Sequence, residues 1–95
     1  MIIDKRYLPR VLQVSPRPNY HLVVFFDDGS MGEVDAQPLL IGAVFAPLRD
    51  ELVFREKVTV LNHTVAWDLD GSRDGERCLD LDPVVLYQRV HNRLP

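Results

Sequence analysis

The side chains in this sequence that could carry chemistry are spread along the chain, and the densest group is the acidic stretch 68–74. Its alternate oxygen-bearing side chains, starting at Asp68, have the spacing of ligands in a calcium-binding loop. However, Arg73 stands where the sharp turn of such a loop needs glycine, and Leu79 stands where a bidentate glutamate belongs. We therefore interpret residues 68–78 as a charged surface loop.

Three histidines, His21, His63 and His91, are the remaining candidates for metal ligands. Zinc sites draw their ligands in pairs at short, repeated spacings, and these three residues form no such pair. The sequence places one on a strand, one in a turn and one late in a helix. We expect no metal and no other cofactor.

Two further features could suggest catalysis, the carboxylate pair Asp27-Asp28 and the single thiol of Cys78. Adjacent carboxylates in a tight turn point apart, and an Asp-Gly turn between apolar runs is a strong hairpin signal. No neighbouring motif lowers the pKa of Cys78 or supplies a base. We therefore expect no catalytic residue and predict that the protein is not an enzyme.

Length and composition indicate one small globular domain, residues 1–95, with 46% apolar and 26% charged residues. The lone cysteine cannot form an internal disulfide, which is typical of a reducing compartment. The first ten residues fit neither a signal peptide nor a membrane span. These features predict a cytoplasmic protein that does not contact a membrane.

The net charge of −3 disfavours nucleic acid as a partner, because binding requires cations that displace condensed counterions. The positive charges are nevertheless concentrated near the two ends of the chain. If the two ends lie together, they would form one basic face, and the protein could bind nucleic acid through it as a nucleic-acid-binding regulator. The candidate contacts are Lys5, Arg6, Arg10 and Arg17.

The elements that would position these groups follow from the apolar pattern. Residues 20–26 are rich in β-branched and aromatic types and form the best predicted strand, which turns at 27–30 into a return strand at 31–34. Short helical turns follow at 37–41, 43–48 and 51–54, with Gly42 expected to end the first and aspartates at 35 and 50 as caps.

A second predicted hairpin, Lys57–Leu61 with Thr64–Trp67, turns at Asn62-His63, and a final helix starts at Asp82-Pro83. We expect the proline-containing residues 15–19 to form a loop. The fold class is therefore α+β, with an antiparallel sheet of about four to five strands, short helical turns in the middle and one C-terminal helix.

The strand at 20–26 is apolar on both faces, because Leu22, Val24 and Phe26 share one face while Val23 and Phe25 share the other. Both faces should then be covered by other elements or by a second subunit. This pattern favours a homodimer.

The order of these signals resembles a known family. The segments that carry the resemblance are FDDGS, PLLIGAVFAPLRD, the hairpin of residues 58–67 and LDPVVLY. They are similar to small bacterial proteins grouped as domain of unknown function 2442, over residues 11–88. The sequence departs from that pattern at Asn62-His63, where relatives often have glycine, and in a longer loop at 68–78.

The resemblance implies an α+β fold and no established catalytic activity. It also implies toxin-like neighbours for some relatives and an added DNA-binding domain for others. We therefore expect a non-catalytic module that presents a sheet face or edge to a protein partner, as an antitoxin does. The alternatives are a nucleic-acid-binding regulator and a small enzyme with an unrecognised site. The predicted interface residues are Phe25, Phe45, Arg49, Asp50 and Trp67.

Overall fold

The computed structural model describes residues 8–76 and 78–91 as six strands with short helical segments. The strands form two antiparallel sheets of three strands each. The predicted α+β class is confirmed, although the expected single sheet of about four to five strands is divided into two. None of the helices in the described residues is long and apolar enough to cross a membrane.

The first sheet contains β1 (Val11–Arg17), β2 (His21–Phe26) and β3 (Met31–Asp35), in that order. Strands β2 and β3 are joined by the predicted Asp-Gly turn, in which Gly29 has a φ of +89° that a residue with a Cβ rarely adopts.

Strand β1 continues through Pro16 to Arg17, so the prediction of a loop at 15–19 is wrong for residues 15–17. Pro16 pairs with Leu22 on an edge strand, where a missing N–H group can point away from the neighbouring strand.

Three short helical segments connect the two sheets. They are the 3-10 helices Gln37–Leu39 and Ala43–Arg49, followed by the α-helix α1 (Glu51–Lys57). Asp35 and Asp50 act as predicted, since their carboxylates accept the N–H groups of Gln37 and Leu52 at 3.1 and 3.0 Å. Gly42 does not end the first segment, but stands at the start of the second with a φ of +106°.

The second sheet contains β4 (Val58–Leu61), β5 (Thr64–Trp67) and the two-residue β6 (Leu79–Asp80). The predicted turn is confirmed, and both Asn62 and His63 adopt left-handed backbone angles, with φ values of 52° and 61°. The chain ends in α2 (Pro83–His91), whose first turn is capped by Asp82 through a 2.8 Å bond from the N–H group of Val84.

One hydrophobic cluster joins both sheets and both helices. At its centre, the centroid of the Phe54 ring lies 5.3 Å from that of Trp67 and 4.9 Å from that of Tyr20. The indole N–H of Trp67 donates to the Phe54 carbonyl at 3.0 Å. From α2, Leu86, Tyr87 and Val90 enter the same cluster, as the predicted apolar stripe requires.

Candidate functional site

The three histidines lie in separate parts of the structure. His21 is on β2, where its Nδ1 is 2.8 Å from the Glu33 carboxylate, and His63 is exposed in the turn between β4 and β5. His91 packs its ring 4.1 Å from that of Tyr87 at the end of α2. Across residues 8–76 and 78–91, no group of three histidine, cysteine or acidic side chains could hold a metal ion.

The acidic loop uses its oxygen atoms to order its own backbone. Asp68 accepts the N–H group of Arg73 at 2.8 Å, Asp70 accepts that of Ser72 at 3.0 Å, and Asp74 accepts that of Glu76 at 2.9 Å. These internal bonds account for the abundance of aspartate, since the side chains cap turns. The arrangement supports the interpretation of this stretch as a surface loop.

The thiol of Cys78 is poorly suited to act as a nucleophile. Burial, together with the nearby Asp80, raises its pKa from the ordinary value of 9.0. Its Sγ lies 3.4 Å from the Gly75 carbonyl. Because the reactive species is the thiolate, this environment lowers reactivity.

A cluster of hydrogen-bonded polar side chains joins the β2–β3 turn to α2. The Tyr87 hydroxyl donates to Asp28 at 2.6 Å, and Ser30 donates to the same carboxylate through both its N–H and its hydroxyl, at 2.9 and 2.6 Å. Burial by itself raises the pKa of Asp28, but the bonds from Ser30 and Tyr87 outweigh it and lower that pKa below 3.8.

This cluster is a structural latch between residues that are 59 positions apart in the sequence. The hydrogen bond to Asp28, followed by burial, raises the pKa of Tyr87 above 10.0. A phenol held neutral and a carboxylate held charged stabilise their mutual bond, but they provide no proton donor or acceptor suited to neutral pH.

The five predicted interface residues differ in exposure. Phe25 and Phe45 are half-buried and Arg49 and Asp50 are exposed. Trp67 is fully buried, with an exposed fraction of 0%, so its surface contributes to the core and not to the accessible face. Asp50 caps α1, and the Arg49 carbonyl accepts the Tyr20 hydroxyl at 2.7 Å.

Of the predicted nucleic-acid contacts, Lys5 and Arg6 lie outside the described residues. Arg10 and Arg17 are exposed at opposite ends of β1, which places their backbones about 23 Å apart at ~3.3 Å per residue. The structure therefore does not bring these two arginines into one patch.

An open sheet edge occurs at β3, and the register of the sheet shows which groups it presents. Two backbone hydrogen bonds show which residues of β2 and β3 form hydrogen-bonded pairs. The N–H group of Phe26 donates to the Ser30 carbonyl, and that of Ala36 donates to the Tyr20 carbonyl, both at 2.9 Å. Because bonded pairs alternate in an antiparallel ladder, the peptide groups of Met31, Glu33 and Asp35 point away from β2. These three residues form the outer edge of β3.

The other edges are occupied or short. The N–H group of Val11 in β1 donates to the His63 carbonyl at 2.8 Å, which closes that end of β1 against the second sheet. The Arg73 guanidinium lies 3.3 Å from the Val60 carbonyl on β4, and β6 has only two residues. Proteins usually protect their sheet edges in such ways, so the bare edge of β3 stands out within the part of the chain that the structure describes.

A groove of about 480 Å³ runs along this edge. Successive strand residues point to opposite faces of a sheet, so a hollow bordered by Glu33, Val34 and Asp35 together must lie at the strand's edge. The facing wall is one stripe of α2, spaced three and four residues apart. We call this the β3–α2 groove; its lining residues are Glu33, Val34, Asp35, Val85, Gln88 and Arg89.

The β3–α2 groove continues towards the 3-10 helices. Val85 also borders a hollow of about 240 Å³, and Phe45 is common to this hollow and to a third that includes Arg49. The predicted contact residues Phe45 and Arg49 therefore lie on the same concave strip as the open edge. We call the second hollow the elbow pocket; it is lined by Leu39, Phe45, Asp80, Leu81, Asp82 and Val85.

Glu33, Val85 and Arg89 are not among the site residues predicted from the sequence. A signal existed in residues 31–35, where exposed and buried side chains alternate and the charged ones fall on one face, as is common on edge strands. The pairing of that edge with α2 has no local signal, because the two elements are joined only by tertiary packing.

Comparison with known proteins identifies a family but no characterised relative. No curated protein and no solved structure matches the chain. The profile of the family described as protein of unknown function (DUF2442) matches residues 11–92, which is most of the chain. That description assigns no activity, and the resemblance predicted from the residues is confirmed: the chain belongs to the DUF2442 family.

Proposed function

We propose that this protein is a non-catalytic interaction module of the cytoplasm that binds a protein partner at the β3–α2 groove. The observation that carries the proposal is the open edge of β3 beside a hollow of about 480 Å³. An exposed strand edge is a ready template for pairing with another chain. The scattered histidines and the raised pKa of Cys78 support a non-catalytic role.

A binding role is also supported by apolar side chains next to the groove. Ile41, between the two 3-10 helices, and Val44, on the second of them, are 78% and 62% exposed. Val44 is the sequence neighbour of the half-buried Phe45, which lines the elbow pocket. Contiguous exposed apolar side chains beside a polar rim are typical of protein interfaces. The concave strip therefore combines backbone groups for pairing with apolar surface for packing.

The specific form of the proposal is an antitoxin-like role, in which the module neutralises a small protein encoded by a neighbouring gene. This form is an analogy drawn from the resemblance. Co-expression with the product of the neighbouring gene, followed by affinity purification, tests it. We expect a stable complex with the wild-type protein, and failure to co-purify with any neighbouring product would contradict the antitoxin role.

The same experiment locates the binding site. Glu33→Pro removes an outward N–H group from the edge without removing a ladder bond to β2, so it should abolish co-purification. Glu56→Lys, an exposed change on α1, is the matched control and should leave the complex intact. A complex unaffected by Glu33→Pro would show that the partner binds elsewhere.

A homodimer through the outer face of the first sheet, the side that carries Phe25 and Met31, is a further part of the proposal. Phe25 is half-buried and Met31 is 48% exposed, and burying both on a second copy would be favourable. Sedimentation equilibrium tests it, with an expected mass of twice 10.9 kDa. Phe25→Lys should then give the monomer mass, whereas a wild-type monomer would contradict the dimer.

A further inference from the structure

We infer that the partner segment taken up by the β3–α2 groove is an extended strand in which basic and apolar residues alternate. This inference deepens the proposed function and rests on it. The added strand would become the fourth of the first sheet and would lie along the outer edge of β3. Basic and apolar residues would alternate along the added strand because its two faces would contact different surfaces of this protein.

The outer face of the added strand would meet carboxylates. Glu33 and Asp35 lie on the same face of β3, two positions apart, and both are exposed. One oxygen of each is already in contact, with His21 and with the N–H group of Gln37, and an ionised carboxylate has further lone pairs to accept a partner's donors. Directly opposed side chains on neighbouring strands have Cβ atoms about 5 Å apart, and opposite charges at that distance attract. Lysine or arginine at alternate positions of the partner would therefore be selected.

The inner face of the added strand would meet apolar surface and one cation. Val34 on this side of β3 is already covered, with an exposed fraction of 3%, so the accessible apolar surface of the groove comes from the half-buried Val85 of α2. Arg89 stands on the same helix wall, so a basic residue pointing inwards would be repelled. Apolar residues are thus favoured at the positions between the basic ones.

The same charges argue against a second copy as the occupant. If two β3 strands paired antiparallel with all three outward-facing residues in register, Glu33 would oppose the Glu33 of the other copy. Like charges directly opposite each other destabilise a strand pair, and charged edge residues are a known protection against self-pairing. The charges therefore disfavour this pairing with a second copy, whereas they attract a cationic strand.

The length of the edge limits the partner segment. Strand β3 has five residues, or roughly 17 Å at ~3.4 Å per residue, so about five residues of the partner would pair. Beyond the Asp35 end of the strand lies the elbow pocket with Leu39 and Phe45. A bulky apolar residue next to the paired segment would fit there.

Binding of synthetic peptides tests the inference directly. The probes are a fluorescein-labelled, end-capped heptapeptide of alternating lysine and valine, a peptide of the same composition with its lysines and valines in blocks, and an alternating glutamate–valine peptide. By fluorescence polarisation at low salt we expect the first to bind at least tenfold more tightly than the second. The third should not bind, because its charges repel Glu33 and Asp35. Equal binding of the first two peptides would overturn the inference, since net charge alone would then explain it.

Charge reversal provides a second arm. The variant Glu33→Lys, which keeps the Asp35 cap, should weaken binding of the lysine–valine peptide and strengthen binding of the glutamate–valine peptide. The matched control is Glu56→Lys, which changes the net charge equally at an exposed position away from the groove, and it should keep the wild-type preference. An equal effect of the two variants would overturn the inference.

Amide hydrogen exchange gives a readout that surface electrostatics alone would not produce. In the free protein we expect the amides of Gly32 and Val34 to be protected by their bonds to β2, and those of Met31, Glu33 and Asp35 to exchange rapidly. The lysine–valine peptide should slow exchange at these three amides. Tight binding without such protection would overturn the strand-addition mode.

These tests separate the inference from the proposed function. If a neighbouring protein co-purifies but the lysine–valine peptide does not compete with it, the inference fails and the binding role stands. If the peptide protects the edge but no neighbouring protein binds, the antitoxin role fails and the groove's preference stands.

Discussion

At the scale of single residues, the acidic side chains of this protein mainly organise its backbone. Six aspartates accept the N–H group two residues further along, at the β2–β3 turn, before three helices and within the acidic loop. This arrangement satisfies donors that a turn or helix start leaves free. It explains why so many aspartates occur at turns and at the starts of helices. These aspartates are Asp28, Asp35, Asp50, Asp70, Asp74 and Asp82.

The latch between Tyr87 and Asp28 should make stability depend on pH. Tyr87→Phe removes the 2.6 Å bond, and we expect it to lower the free energy of unfolding by about 1 kcal/mol near neutral pH. The pKa of Asp28 is lowered in the folded state. Its contribution is therefore complete above its ordinary value of 3.8 and is lost as the pH falls through the folded-state value.

Urea unfolding of the wild type and Tyr87→Phe at about pH 7 and about pH 3 measures this effect. The difference between the two proteins should shrink at the lower pH. Ser72→Ala, in the acidic loop, serves as a control that leaves the latch intact. An equal difference at both pH values would mean that the bond does not depend on the charge of Asp28.

Cys78 should react slowly with thiol reagents. Burial and Asp80 raise the pKa of its thiol above 9.0, so the thiolate fraction near pH 8 is smaller than that of free cysteine. We expect iodoacetamide to label the folded protein several-fold more slowly than glutathione, and the difference to disappear in concentrated urea. Labelling faster than glutathione would point to an activated thiol.

At the scale of elements, the β2–β3 and β4–β5 hairpins are closed by different turn chemistry. The β2–β3 turn places glycine at its left-handed position, whereas the β4–β5 turn places Asn62 and His63 there. Asparagine tolerates this conformation better than histidine does. The Asn62 side chain is further held by a 3.1 Å bond to the Gly75 carbonyl.

His63→Gly should therefore stabilise the protein. Removing the Cβ relieves strain worth about 1–2 kcal/mol, part of which is offset by the greater freedom of glycine in the unfolded chain. We expect a gain of about 0.5–1 kcal/mol, measured by thermal and urea unfolding. Asn62→Ala, which keeps the strain and removes the side-chain bond, should destabilise. A loss of stability in His63→Gly would show that the imidazole makes a contact that outweighs the strain.

At the scale of the whole molecule, the two sheets are held together by shared core side chains. The Phe54 ring contacts Tyr20, next to the first sheet, and Trp67, in the second, and it is fully buried. The packing of α2 also defines the groove, because α2 contacts both β3 and β2, while no other strand among residues 8–76 and 78–91 pairs with the outer side of β3.

Phe54→Ala should come close to unfolding the protein. Deleting a buried phenylalanine costs about 3–5 kcal/mol, while small domains have total stabilities of about 5–15 kcal/mol. Leu52→Ala on the same helix is the matched control, since Leu52 is 50% exposed, and should change stability by less than about 0.5 kcal/mol. Circular dichroism during urea unfolding measures both variants. Similar losses in the two would mean that Phe54 does not hold the sheets together.

Much of this fold could be predicted from local signals. The Asp-Gly turn, the left-handed Asn62, the Asp50 cap and the Asp82-Pro83 helix start each act within a few residues, so their types and spacing are sufficient. The family could also be recognised, because its features are these same short motifs. The continuation of β1 through Pro16 could not be predicted, because a strand tolerates proline only where it lies at the edge of a sheet.

The candidate site depended on tertiary structure. The sequence by itself determined the aspartate-capped turns, the apolar strands and the absence of ordinary catalytic spacing, because each is a property of neighbouring residues. Only the folded chain decided that β3 is an edge strand among the described residues, that α2 forms a wall beside it and that Trp67 is buried, because these facts depend on which distant elements pack together. The β3–α2 groove arises from that packing.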